Sequence, residues 1–149
     1  MKLRTNLLTT AAITLALTIP ALAGSIWLEF GNPTANTDPN AKDALTVVRA
    51  TGCHEPEKAV YTAVAEGKVD GKRKSIPLQV VKLSAPTYYA IKGVVPKEGT
   101  WVISVSSTVE GSFLASAILP VSAKGVERMS ASVMHHPITD QDVEKALQR

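Results

Sequence analysis

Between positions 25 and 121 apolar residues recur at alternate positions in short runs, and turn-forming Gly, Pro, Asn and Asp residues punctuate those runs. A period of two sends successive side chains to opposite faces, which suits a half-buried strand and cannot give the apolar stripe of a helix. Seven strands are expected on this pattern, over 26–30, 44–50, 60–66, 75–83, 87–94, 101–106 and 113–121. Asp70-Gly71 reads as a tight hairpin turn, because both residues accept positive φ. Pro96-Lys97-Glu98-Gly99 and Glu110-Gly111 mark two more turns, and Pro77 suggests that its strand is an edge or begins there. Trp101, Ile103 and Val105 fall on one face of their strand, with Ser104 and Ser106 on the other. So many short strands at such spacing predict an all-β fold, a seven-stranded antiparallel immunoglobulin-like β-sandwich, with a closed barrel as the alternative.

The last residues change period. Thr139 is placed to cap a helix, Asp142 stands three residues on, and Ile138 can staple to Val143, so a short C-terminal helix is expected up to about Gln148. The first residues obey a third logic. Lys2 and Arg4 precede an apolar run, and Pro20 and the Ala21-Leu22-Ala23 pattern follow before Gly24. This predicts a secretory signal peptide over 1–23, cleaved after Ala23. The run is shorter than the roughly 18 residues a spanning helix needs, so no stable membrane insertion is expected after cleavage. The domain plan is a leader over 1–23, a sandwich over 24–122 and a C-terminal extension over 123–149 that carries the helix.

The leader also alters the charge. The whole chain of 149 residues holds 16 basic and 13 acidic residues, a formal charge of +3. Without Lys2 and Arg4 the count becomes 14 against 13, a nearly neutral product with no field to steer it toward phosphates. Nucleic acid is not an expected partner. A periplasmic or secreted destination places the single cysteine, Cys53, in an oxidising compartment, where an unpaired thiol is sheltered, metal-bound or available to a partner.

Three segments resemble known proteins: Val48-Arg49-Ala50-Thr51-Gly52-Cys53, the hairpin from Gly67 to Arg73, and Tyr88-Tyr89-Ala90 followed by Pro96-Lys97-Glu98-Gly99-Thr100-Trp101. Together they are similar to an uncharacterised family of small exported bacterial proteins with immunoglobulin-like sandwiches. The tyrosine strand, Pro-x-x-Gly turn and Trp are also similar to YtkA-like and FixH-like domains and, more distantly, to CopC-like copper-binding sandwiches. The resemblance implies a sandwich fold.

No complete catalytic constellation is present. There is no G-x-S-x-G elbow, and His54-Glu55-Pro56-Glu57-Lys58 has Pro inside and Lys where a zinc protease needs its second His. The chain is therefore expected to be a non-enzymatic binding or structural module of the cell envelope, with an unknown protein or envelope partner and no cofactor. The alternative is a periplasmic copper or zinc protein using Cys53, His54, Met134, His135 and His136, donors suited to soft or borderline metals. Cys53-His54 and His135-His136 are adjacent pairs, and on a strand one member of each would face away from a shared site. Lys68, Lys72, Arg73 and Lys74 form a basic hairpin tip able to contact an anionic surface. Trp27, Trp101 and the tyrosines are expected mainly in the core, with a carbohydrate or peptide platform as the other possibility.

Overall fold

The computed structural model describes residues 26–52 and 55–149. The signal-cleavage residues Ala21, Ala23 and Gly24, and the candidate ligands Cys53 and His54, lie outside them. The described chain is all-β with one short C-terminal helix, as the alternation predicts, but it has nine strands instead of seven. They are β1 (Trp27–Gly31), β2 (Thr46–Thr51), β3 (Val60–Val69), β4 (Lys72–Lys82), β5 (Tyr89–Lys92), β6 (Thr100–Val109), β7 (Ser112–Ser122), β8 (Gly125–Val126) and β9 (Ser132–Met134). The two extra strands, β8 and β9, come from the segment after position 122, which therefore adds to the sheet and is not a mere appendage. Both are too short to show a period of their own.

All pairings are antiparallel, in the order β1-β2-β5-β4-β3-β6-β7-β8, with β9 beside β7. The sheet curls over on itself as a half-barrel whose two walls pack like a sandwich. The corner is β4. Its first part, to Leu78, pairs with β3, whereas Gln79 to Lys82 pair with β5. Pro77 sits just before this change of partner. It pairs with Val64 on one side, and on the other side β5 begins its pairing only at Gln79. The proline thus marks a local edge within an inner strand, which corrects the expectation of an edge strand. Its missing N–H costs no ladder bond there.

Two tight hairpins form as expected. Asp70 and Gly71 have φ of 51° and 75°, and Glu110 and Gly111 have 50° and 80°. Positive φ at both central positions matches the right-handed twist of the flanking strands.

The inner face holds one core, with Leu28, Val48 and Ile91 on one wall and Ala65, Ile103, Val105 and Leu119 on the other. Two smaller clusters cover outer faces. The segment 32–44 lays Ala41 over Val47, Leu83 and Ala90, held by the Asp38 carboxylate, which accepts the N–H groups of Asn40 and Ser84. The helix α1 (Asp140–Leu147) lays Val143 and Leu147 on Val102 and Ile118 of β6 and β7. Its capping box is complete: Thr139 Oγ1 accepts the Asp142 N–H, and the Asp142 carboxylate accepts the Thr139 N–H at 2.9 Å. Among the described residues no helix is long and apolar enough to cross a membrane.

Candidate functional site

The curl leaves an open seam. Among the described residues β1 pairs only with β2, and β9 only with β7. At one end of this seam Trp27, the first residue of β1, is 48% exposed. Its ring lies 6.3 Å from that of His135, which follows β9. A tryptophan held at a strand edge, half in solvent and braced from the far side of a gap, is an aromatic surface available for contact.

Strand alternation sorts the neighbouring candidate ligands. Met134 joins the apolar cluster beneath α1, His135 turns to Trp27, and His136 turns back toward the helix. His136 Nδ1 lies 2.9 Å from the Pro137 carbonyl and 3.9 Å from Asp142 Oδ2. A carbonyl can only accept, so a hydrogen bond at this contact has Nδ1 as its donor and leaves Nε2 as the ring nitrogen outside it. The main chain here is fixed as well, since the buried Ser116 hydroxyl donates to the His136 carbonyl at 2.6 Å. Met134 and His136 share a small cavity of about 240 Å³ with Asp142, Lys145 and Arg149. The adjacent histidines thus separate. Among the described residues no three His, Cys, Asp or Glu side chains converge as a metal group.

The basic hairpin tip is partly engaged. Arg73 Nη1 lies 2.7 Å from Glu144 Oε1 of α1, Arg73 Nη2 is 3.6 Å from Glu66, and Lys68 is 3.8 Å from Glu144. These contacts hold the Glu144 carboxyl below its ordinary value, chiefly through the Arg73 hydrogen bond. Lys72 and Lys74 remain exposed, on the stretch of β4 that has no strand on its outer side among the described residues. Lysines there discourage unwanted strand addition. The sequence pattern exposed the cluster of charge but not Glu144, which stands about seventy residues away in sequence and is brought over by helix docking.

Of the aromatic residues, Trp101 is in the core as expected, and the Tyr61 and Tyr89 rings pack at a tilt with 4.7 Å between centroids. Arg49 sits 5.1 Å over the Tyr88 ring. Trp27 departs from the core expectation: it lies on the outward face of β1 and, among the described residues, is only half covered, with the His135 ring beside it.

The chain matches no protein-family model, no curated protein and no solved structure.

Proposed function

We propose that this chain is an exported, non-enzymatic binding module of the bacterial cell envelope, meeting a protein partner along the β1 edge. The observation that carries this reading is the half-exposed Trp27 on an edge strand that lacks an outer neighbour among the described residues. Unpaired edges accept added strands, and tryptophan is enriched among residues that dominate interface energetics. Export rests on the leader-like residues 1–23. A photo-crosslinking amino acid at position 27, activated in intact cells, should give one discrete adduct, whereas the same group at the fully exposed Met129 should give none. Equal labelling from both positions, or turnover of a substrate by the purified protein in a hydrolase and redox panel, would sink the reading.

A second reading, copper or zinc binding, has one specific support. Thr51 stands opposite Trp27, so β2 delivers the chain to the His135 end of the seam two residues before Cys53. Copper(II) held at His135 would quench Trp27 emission and spare the buried Trp101 at the far end of the barrel. Titration should therefore quench only the red-shifted, exposed component, and His135→Ala should abolish this while His136→Ala does not. Unquenched emission across the titration disposes of the metal.

A further inference from the structure

At the end of the half-barrel away from Trp27 the interior opens into a cleft of about 690 Å³. Its walls are the ends of several strands and their turns: Leu45 just before β2, Val95 after β5, Trp101 on β6, Val121 on β7 and Val126 on β8. All but Trp101 are only partly buried and pack on the main core, so the cleft is a continuation of the apolar interior to the surface. Its volume lies in the range of small-molecule sites, and barrel mouths are a common place for them.

The walls are fixed before anything binds. The Leu45 N–H donates to the Ile91 carbonyl at 2.8 Å, and Arg128 reaches the Leu45 carbonyl at 3.4 Å. The Trp101 indole N–H donates to the Glu98 carbonyl at 2.7 Å, tying the ring to the Pro96–Gly99 turn. Gly99 adopts φ of 85°, and a Cβ there would run into the Lys68 carbonyl. A ligand entering such a site does not have to order it.

Polarity around the cleft is one-sided. Lys97 is its single charged lining residue, and Thr100 and Ser122 add hydroxyls. Lys97 forms no ion pair among the described residues, although Glu98 follows it directly. Apolar walls with one unengaged cation and two hydroxyls complement a molecule with an apolar chain and one negative end. A carboxylate adds a charge-assisted contact at the exposed Lys97 ammonium that a neutral apolar ligand does not make, and a polyanion would leave the apolar walls uncovered.

We propose that this cleft binds a free aliphatic carboxylate, with its chain along Leu45, Val95, Val121 and Val126 and its carboxylate at Lys97. The site is distinct from the Trp27 edge and does not depend on it.

Calorimetry with dodecanoate below its micelle concentration tests the assignment. One saturable site is expected, with dodecanol binding about tenfold more weakly, as the loss of a charge-assisted contact implies. Lys97→Gln should weaken dodecanoate by a similar factor and leave dodecanol unchanged, while Lys72→Gln changes neither. Val126→Trp should fill the cleft and remove binding; should that variant fail to fold, Val95→Phe serves the same purpose. Absence of saturable binding to the folded protein overturns the proposal, as does binding indifferent to both Lys97→Gln and the filled cleft. Sedimentation with phosphatidylglycerol vesicles that is lost when the cleft is filled would reassign it to bilayer lipid and also overturn it.

Discussion

Trp101 and Gly67 show how far a single pair shapes this molecule. They stand directly opposite each other on β6 and β3, and a Cβ at position 67 would overlap the indole ring. The ring therefore lies flat across the glycine, which explains why β3 continues through Gly67 to Val69 where a glycine ordinarily weakens a strand. The same ring reaches the Glu98 carbonyl, so the Pro-x-x-Gly-x-Trp run is one local unit in which turn and tryptophan position each other. Gly67→Ala should thus cost about 1–3 kcal/mol, the usual range for overpacking. Urea unfolding should show a lower midpoint with an unchanged slope, and the near-ultraviolet tryptophan band should weaken. A neutral result would mean that the ring has room to move aside. Trp27 pairs with Thr51 in place of a glycine and stays half exposed among the described residues, and the alternating pattern could not distinguish the two tryptophans because it reports which face a residue takes and not whether anything lies over that face.

At the scale of elements, α1 was legible from its cap while its site of docking was not. Thr139, Asp142 and the short apolar stripe announce the helix locally, but Val102 and Ile118, on which it rests, are outward-facing residues of strands that otherwise read as having a wetter side. An eight-residue helix is marginal alone, so its stability comes from that contact. Leu147→Ala should cost about 2–3 kcal/mol, toward the low end for buried leucine truncation because the site lies at the surface. Thr139→Ala should cost about 1 kcal/mol through the lost cap. Hydrogen exchange in 140–147 should rise in both variants, and unchanged exchange would show that the helix is held by something else. The carboxylates make the same docking sensitive to acid. Asp142 is held below its ordinary value by the Thr139 hydroxyl and then the Thr139 N–H, and Glu144 by Arg73. An acid whose folded value is lowered stabilises the folded state fully above its unfolded value and loses that contribution as pH falls through the folded one. Protection of the helix amides, taken relative to unstructured amides at the same pH, should therefore fall as pH drops through and below the ordinary carboxylate range and stay level above it. In Thr139→Ala the Asp142 part of this acid response should shrink, because the hydroxyl is lost while the main-chain N–H of residue 139 still reaches the carboxylate, and an identical pH profile in both proteins would contradict the role given to the cap.

For the whole molecule, the strands were readable and their closure was not, because alternation fixes faces while partners are decided by where a long strand bends. The run expected over 75–83 forms as one strand of eleven residues, Lys72–Lys82, yet it serves both walls, and this converts two expected sheets into one curled sheet. The curl in turn dictates the interior. Across β3, β6 and β7 the register sets Gly67 beside Trp101 and Val121, Ala65 beside Ile103 and Leu119, Ala63 beside Val105 and Ala117, and Tyr61 beside Ser107 and Ala115. Every layer pairs large residues with small ones, and the fully buried alanines let the wall bearing Leu28, Val48 and Ile91 approach. The sequence shows these alanines as weakly apolar positions; only the register reveals that they are spacers. If they are, volume within a layer should be exchangeable. Ala65→Leu alone should cost about 1–3 kcal/mol by overpacking, and Ile103→Ala alone about 2–5 kcal/mol by leaving a cavity. In the double variant the leucine should enter the space vacated next to it, making the combined loss smaller than the sum of the single losses by at least about 1 kcal/mol. Chemical denaturation of the four proteins measures this coupling directly. Strict additivity would mean that the layer is not a shared volume, and that the width of the half-barrel is set by its hydrogen-bonded corner at β4 instead of by its core.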